Sequence, residues 1–217
     1  MIKNKAYVII GPQGSGKGTQ AKLLAKNHEF EVLTMGNLLK TEAKKDTPLA
    51  AEIKEYVMKG NLVPNKATFK VLEGWLKTIP NEKLILFDGF PRSMEQVEEL
   101  EKLVDIVQVI YLQLPYEVSI KRIAGRRICD NGHQYHVVAM QPKKEGVCDH
   151  DGLSLHRRVD DTEDAIIQRL KIFEEATGLV ISYYDKQGKV ININGDASIE
   201  SVSKDVEDKV FGNESEK

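Results

Sequence analysis

The stretch GPQGSGKGT, residues Gly11–Thr19, decides the fold class of this chain. It follows an all-apolar run, Ala6–Ile10, and opens a helical pattern from Lys17 to about Asn27. Glycines let the backbone wrap closely around an anion, so successive N–H groups and the helix N-terminus can face phosphate oxygens. An ordinary glycine-rich turn between a strand and a helix is the alternative. Because four glycines, a lysine and both flanking elements coincide, the stretch indicates a phosphate-binding loop.

Two side chains extend this prediction to a nucleoside triphosphate. Lys17 would reach the outer phosphates, although Gly18 stands where such loops usually have Ser or Thr, and Thr19 comes one place later. Asp88 closes a second apolar run and is typical of the carboxylate that holds magnesium through water in such sites. Taken alone, Asp88 is better explained as a residue that ends a strand and caps the next turn.

The rest of the chain alternates strand and helix patterns. Apolar runs predict further strands at 84–87, 107–114 and 190–193, and helical patterns occur at 94–103, 117–125, 163–186 and 198–210. This alternation predicts an α/β fold, a parallel sheet with helices on both faces. Two regions depart from it and are interpreted as insertions, a polar helical segment at 34–63 and a Cys- and His-containing segment at 126–161.

The bulk composition excludes several classes of protein. The 217 residues, 41% of them hydrophobic, suit one domain of ordinary size with inserted lobes. A formal net charge of -2 gives no support to a nucleic-acid partner, and two cysteines cannot form a disulfide framework. No apolar run is long enough for a signal-peptide core or a membrane span, so we expect a cytoplasmic protein without a membrane partner.

The stretch DGFPRSMEQ (Asp88–Gln96) resembles a motif of the nucleoside monophosphate kinases, specifically of the adenylate kinase family. Four more stretches occur in the order and spacing of that family: GNLVP (Gly60–Pro64), RIAGRR (Arg122–Arg127), RVDD (Arg158–Asp161) and QRL (Gln168–Leu170). The resemblance covers nearly the whole chain and implies a P-loop-type, five-stranded parallel sheet flanked by helices. It divides the chain into a core (1–33, 64–125 and 162–217), a helical lobe for the nucleoside monophosphate (34–63) and a small β-rich lid (126–161).

The resemblance implies transfer of the terminal phosphoryl group of ATP to AMP, giving two ADP, by a monomer that uses magnesium with ATP. Such transfer requires positive charge around the migrating group, in-line positioning and exclusion of water. By resemblance, the catalytic cations are Lys17, Arg92, Arg126, Arg158 and Arg169. The ATP-binding residues are Gly14, Ser15, Gly16, Lys17, Gly18, Thr19, Arg122, Arg126, Gln134, Tyr135 and Ala197. The AMP-binding residues are Met35, Lys40, Asn61, Leu62, Val63, Gly89, Phe90, Pro91, Arg92, Gln96, Arg158 and Arg169.

Particular roles follow from the same resemblance. Arg122 would pack on the ATP adenine, and Gln96 would contact the edge of the AMP adenine. Asp160 and Asp161 would belong to the lid hinge, and Asp88 would hold magnesium through water. Both inserted lobes would close over the nucleotides, because an open site would hydrolyse ATP.

Three residues depart from the pattern of the family. Met35 occupies a threonine position near the AMP base and removes one side-chain hydrogen bond. Lys40 replaces an arginine that contacts the AMP phosphate; it keeps the charge but loses the bidentate geometry, at a cost of about 1 kcal/mol. Gln13 replaces a proline in the phosphate loop, where we expect little effect. These changes leave the reaction class intact and the acceptor base open.

Two alternative functions compete with phosphorylation of AMP. UMP/CMP kinases share the phosphate loop and a DGFPR-like motif, but they generally have a very short lid, unlike segment 126–161. A nucleotide-binding regulator that has lost catalysis is the other alternative, and the intact lysine and arginine set argues against it.

The stretches CDNGHQYH and CDHDG in the lid predict a structural zinc site with one altered ligand position. Cys148 and Asp151 fit the Cys-x-x-Asp half of the zinc motif found in many bacterial members of the family, and Cys129 fits the other half. His133 is the nearest group able to replace the missing second cysteine, since zinc accepts thiolate, imidazole and carboxylate alike. His150 is a weaker candidate. A metal-free hydrogen-bonded cluster, a pairing of the cysteines and solvated histidines stay open as alternatives.

Overall fold

The computed structural model describes residues 3–58, 62–157 and 161–212. A five-stranded parallel sheet forms its centre, in the order β2-β3-β1-β4-β7. Its strands are β1 (Lys5–Ile10), β2 (Glu31–Leu33), β3 (Ile85–Asp88), β4 (Asp105–Gln113) and β7 (Val190–Asn194). The predicted α/β fold, with a five-stranded parallel sheet flanked by helices, is confirmed.

Nine α-helices accompany the sheet in the part of the chain that the structure describes. They are α1 (Lys17–His28), α2 (Met35–Glu42), α3 (Pro48–Met58), α4 (Asn65–Leu76), α5 (Met94–Leu103), α6 (Tyr116–Ala124), α7 (Glu163–Ile172), α8 (Gly178–Asp185) and α9 (Ile199–Val206). Two π-helical segments, Phe173–Thr177 and Glu207–Phe211, follow α7 and α9. The first of them interrupts the helical pattern that the sequence predicts as continuous over 163–186.

Strand β1 shows why the sheet needs helices on both of its faces. Val8 and Ile10 belong to one buried apolar cluster, while Ile9 between them belongs to a second. Successive side chains of a strand point to opposite faces, so an unbroken apolar run places apolar surface on both faces. Helices α5 and α8 contribute to the first cluster, and α1 and α9 contribute to the second. Because β1 and β3 run parallel, their carboxyl ends, where Gly11 and Asp88 lie, meet at one edge of the sheet.

The regions 34–63 and 126–161 contribute to further apolar clusters, the first of them together with α4. Leu39 of α2 and Ile53 of α3 pack with Ala67 and Val71 of α4. In the other region, β5 (Arg126–Ile128) and β6 (Gln134–His136) form an antiparallel pair. Among the described residues, no helix combines the length and apolarity required to cross a membrane.

Candidate active site

The phosphate loop connects the end of β1 to the start of α1. Gly14 and Gly16 have φ angles of 79° and 90°, in the left-handed region that glycine adopts without strain. A Cβ at Gly14 would also lie 3.2 Å from the carbonyl oxygen of Ser119, so the loop has little space for a side chain here. Helix α1 begins at Lys17 without a side-chain cap, and its N-terminal end faces the loop. Such an N-terminus favours a bound anion.

The ammonium group of Lys17 is folded back over this loop. Its Nζ donates to the carbonyl oxygens of Gly11 and Pro12, at 2.7 and 2.9 Å. Burial lowers the pKa of Lys17 to about 8, while the nearby Asp88 carboxylate opposes this shift and Arg92 adds to it. An anionic phosphate would therefore find a cation whose own hydration has already been removed.

Asp88 lies at the carboxyl end of β3 beside this cation. Burial raises the pKa of its carboxyl group, and the charges of Lys17 and Arg92 act in the opposite direction. Thr34, which the sequence analysis did not select, donates its hydroxyl to Asp88 Oδ2 at 3.5 Å. Its only signal in the sequence was its place beside Met35. A carboxylate and a hydroxyl together are oxygen ligands that suit hydrated magnesium.

Arg92 lies on the other side of Asp88. Its Nε donates to the carbonyl oxygen of Gly89 at 2.7 Å, which turns the guanidinium back toward the cleft. A Cβ at Gly89 would lie 3.4 Å from Arg92 Nη2 and 3.8 Å from Lys17 Cε, so both cationic side chains lie close to this glycine. Desolvation lowers the pKa of Arg92, Asp88 opposes this shift, and the like charge of Arg169 adds to it.

Arg122 connects the phosphate loop to the segment that follows β7. Its Nη1 donates to the carbonyl oxygens of Gly14, at 3.3 Å, and Gly195, at 2.8 Å, and its Nη2 pairs with Asp196 at 3.4 Å. Ala197, predicted to contact ATP, directly follows Asp196 in the sequence. The sequence analysis did not identify Gly195 as a site residue; in the structure, a Cβ there would lie 2.8 Å from the carbonyl oxygen of Gln113.

Arg126 and Arg169 meet at one buried carboxylate, that of Asp161. The Asp161 side chain is only 1% exposed. Arg126 donates to it from Nη2 and Nε, with distances of 2.6 Å to Oδ1 and of 2.8 and 3.0 Å to Oδ2. Arg169 Nη1 lies 3.6 Å from Asp161 Oδ1. The structure thus brings two of the predicted catalytic arginines to the junction of segment 126–161 and α7.

The charged side chains that line one cleft of about 560 Å³ include those of Lys17, Asp88, Arg92, Arg122 and Arg126. Its lining includes every predicted ATP-binding residue, together with Asp88, Gly89 and Arg92: Gly14, Ser15, Gly16, Lys17, Gly18, Thr19, Arg122, Arg126, Gln134, Tyr135 and Ala197. Asn61, Arg158 and Asp160 lie outside the described residues. The remaining predicted residues, which do not line this cleft, are Met35, Lys40, Leu62, Val63, Phe90, Pro91, Gln96 and Arg169.

Of the predicted AMP-binding residues that the structure describes, Met35 and Lys40 lie in α2, Gln96 lies in α5 and Arg169 lies in α7. Met35 is half-buried and packs against both the central cluster and the α2–α4 cluster, whereas Lys40 is exposed and Leu62 is 93% exposed. Gln96 accepts from the backbone N–H of Arg92 at 2.8 Å. Its Nε2 donates to Oδ1 of Asn65 at 3.0 Å. The sequence analysis did not identify Asn65.

Four side chains converge in the lid: Cys129, His133, Cys148 and Asp151. One ligand atom from each lies within 4.8 Å of all the others. His133 Nδ1 lies 3.3 Å from Cys129 Sγ, 3.5 Å from Cys148 Sγ and 3.0 Å from Asp151 Oδ2, and Cys129 Sγ lies 3.3 Å from that same oxygen. Ligands around tetrahedral zinc are separated by about 3.3–3.8 Å, given Zn–S and Zn–N lengths of about 2.3 and 2.0 Å. The donor set and its spacing therefore fit zinc.

Two tight turns create this arrangement. Gly132 N donates to Cys129 O at 2.9 Å, and Gly152 N donates to Cys148 O at the same distance, so each cysteine opens a turn. Burial raises the pKa of the Cys129 thiol, and hydrogen bonds led by that from Cys148 hold the pKa of Asp151 below its usual range. A bound zinc ion would displace the thiol protons.

Two other histidines of segment 126–161, His136 and His150, lie outside this group of four. His136 Nδ1 accepts from the backbone N–H groups of Val138 and Ala139, at 3.1 and 3.0 Å. His150 stacks on the ring of His133, with the ring centroids 4.5 Å apart. His150 is therefore a neighbour of the proposed ligand His133 and a suitable control for it.

A phosphate loop, a strand-terminal carboxylate and several arginines around one cleft define a P-loop nucleotide-binding phosphotransferase. A family model described as adenylate kinase matches residues 9–189. Proteins named adenylate kinase from Caldanaerobacter subterraneus subsp. tengcongensis, Bacillus subtilis and Chloroherpeton thalassium are 37%, 35% and 38% identical to this chain. The alignments cover 94%, 94% and 93% of this chain and 96%, 97% and 95% of the relatives. The chain belongs to the adenylate kinase family.

Proposed function

We propose that this enzyme transfers the terminal phosphoryl group of ATP to AMP and forms two molecules of ADP. The observation that carries the proposal is the single cleft in which Lys17, Asp88, Arg92 and Arg126 converge on the phosphate loop. Phosphoryl transfer needs little covalent chemistry from the protein. It needs charge placed around the migrating group, in-line positioning of the two nucleotides and a dry site.

On the donor side, the loop from Gly14 to Thr19 would hold the ATP phosphates. Lys17 would exchange its bonds to two loop carbonyls for bonds to phosphate oxygens, which offer it full negative charge. Arg122, fixed by Gly14 and Gly195, would lie against the adenine. Magnesium bound with ATP would neutralise charge on the phosphate oxygens, and Asp88 with Thr34 are the residues that would hold it through water.

On the acceptor side, Arg92 and Arg169 would hold the AMP phosphate. Their mutual repulsion, which lowers the pKa of Arg92, favours a bound dianion between them. Lys40, which is exposed on α2, would supply a third cation for the phosphate, without the bidentate geometry of arginine. Gln96 would contact the base. Adenine is the base we favour, since the Gln96 amide is already held in one direction by Arg92 and Asn65.

Closure of two lobes would exclude water from this site. We propose that 34–63 and 126–161 move against a core of 1–33, 64–125 and 162–217. The apolar cluster around Tyr135 lies wholly within 126–161 and supports this region as a compact unit, whereas the cluster around Ile53 joins 34–63 to α4 of the core. We also propose that the enzyme acts as a monomer, in the cytoplasm with its nucleotides.

An acceptor assay tests the proposed function. With magnesium and ATP, we expect kcat/KM for AMP to exceed that for UMP or GMP by about 100-fold, because uracil and guanine present their donor and acceptor to the Gln96 amide in the reverse order. ADP formation, measured with each acceptor in turn, identifies the acceptor base that the enzyme prefers. A preference for UMP or CMP would assign the enzyme to another acceptor, and nucleotide binding without turnover would indicate a regulator.

We further infer that the lid group Cys129, His133, Cys148 and Asp151 holds a structural zinc ion. The ion would fix the two tight turns against each other and so stiffen the lid, without contact with phosphate. His133, at the position of the missing second cysteine, would supply a ring nitrogen, which zinc accepts as a ligand in tetrahedral sites.

Metal analysis of protein made without a histidine tag tests this inference. We expect one zinc per chain, and Cys148→Ser should weaken zinc binding by about 100-fold or more, since even the loss of an outer contact costs 10–100-fold. The variant should melt at a lower temperature but bind ATP normally. His150→Ala is the matched control and should retain zinc. Less than about a tenth of a zinc per chain in the unaltered protein would favour the metal-free hydrogen-bonded cluster.

A further inference from the structure

The side-chain amide of Gln96 has a defined direction in this structure. The backbone N–H of Arg92 can only donate, so the group facing it at 2.8 Å must be Oε1 of Gln96. Nε2 is then directed at Asn65, 3.0 Å away, and Asn65 must present its own oxygen. Two consecutive hydrogen bonds thus remove the ambiguity that an amide flip would leave.

Gln96 retains one N–H and one acceptor site after these two bonds. Adenine presents an acceptor, N1, next to a donor, its 6-amino group. An amide that offers one donor and one acceptor in a fixed order can satisfy that edge and cannot equally satisfy an edge with the reverse order.

We propose that Asn65 is a specificity-determining positioning residue for the acceptor nucleobase. Its amide oxygen holds the Gln96 amide in the direction that matches adenine, and it acts through Gln96 without touching the base. This inference rests on the proposed transfer to AMP and on the role of Gln96 in it.

The position of Asn65 in the fold supports this role. It is the first residue of α4, directly after the Leu62–Pro64 segment, and the N-cap of that helix makes no side-chain hydrogen bond. That N-cap is Pro64, and the Asn65 side chain is directed to Gln96, 31 positions away in the sequence. Ser93 caps α5 and fixes the backbone of Gln96 through the N–H of that residue at 3.4 Å, so both ends of the Gln96 residue are held.

The test compares AMP with purine riboside 5′-monophosphate, which lacks only the 6-amino group. Asn65→Leu, of similar size and without an acceptor, should lower kcat/KM for AMP by about tenfold and that for the analogue by less than about twofold, because the analogue lacks the 6-amino donor from which the positioned Gln96 oxygen accepts. The change should appear in KM, with kcat nearly constant. Asn65→Asp keeps an acceptor oxygen and should retain the preference for AMP.

A coupling cycle distinguishes positioning from a general structural effect. Gln96→Ala should reduce the AMP preference to the same extent, and adding Asn65→Leu to it should change the preference no further. Asn65→Ala serves the same comparison if the leucine variant does not fold. Equal losses for both acceptors, or independent effects of the two substitutions, would overturn the inference. If the unaltered enzyme does not phosphorylate AMP, the proposed function fails first.

Discussion

Lys17→Met should lower kcat by about 10³-fold while leaving the protein folded, which is the scale for loss of one preorganised charge on a transferring phosphoryl group. Methionine keeps the unbranched stem of lysine and loses only the ammonium, so packing around α1 should persist. An assay of ADP formation gives kcat, and a thermal melt shows that the variant is folded. Lys26→Met, the same exchange at an exposed position of α1, is the control and should be neutral. Turnover within tenfold of the unaltered enzyme would remove Lys17 from the mechanism.

The pH dependence of ATP binding provides an independent check on Lys17. Its pKa is lowered to about 8 in the free protein, so the ammonium loses its proton as the pH rises through that value. Bound triphosphate stabilises the charged form and raises the pKa again. The Kd for ATP should therefore rise about tenfold per pH unit above pH 8 and stay flat below it as far as this group is concerned. Calorimetric titrations of Lys17→Met should lack this slope.

Much of the fold could be predicted because the sheet is buried on both faces. The runs at 84–87 and 107–114 lie within two residues of β3 and β4, and the predicted helix 94–103 coincides with α5. The edge strand β2 could not be found from the residue pattern, because among Glu31–Leu33 only Leu33 is buried. A three-residue edge strand has no apolar run to detect.

The π-helical segment Phe173–Thr177 also has no signal in the sequence. Thr177 is buried there, and its hydroxyl donates to the carbonyl oxygen of Arg92 at 3.4 Å. This contact joins positions 85 apart in the chain, so a helical periodicity cannot anticipate it. The segment is a tertiary feature imposed on a continuous helical pattern.

The candidate active site, like the fold, could be predicted only in part. Residue types and motif order were sufficient to predict that Lys17, Arg92 and Arg126 would share a cleft. They were not sufficient to predict the partners that orient these cations, such as the Asp161 carboxylate between two arginines or the Asn65 amide beside Gln96. Motifs specify reactive groups, whereas orientation depends on backbone positions far apart in the sequence.

Asp161→Asn should lower the free energy of unfolding by about 3 kcal/mol, because it removes one partner from a buried ion pair and leaves the other uncompensated. The carboxylate is 1% exposed, and Arg126 donates to both of its oxygens. In asparagine, one of those oxygens becomes an NH₂ group, which would face the donors of Arg126 without forming a bond. For a chain of this length the loss corresponds to a fall in Tm of about 6–12 °C.

Calorimetric melting of the matched pair Asp161→Asn and Asp164→Asn isolates the buried interaction. Asp164 lies exposed in the first turn of α7, three positions from Asp161, and its loss should cost less than about 1 kcal/mol through the helix dipole alone. Because Asp161 also orients Arg126 toward the cleft, its substitution should reduce kcat together with stability, whereas Asp164→Asn should leave kcat unchanged. Equal melting temperatures for the two variants would mean that solvent already screens the Arg126–Asp161 pair, and that the lid junction is more open than this structure.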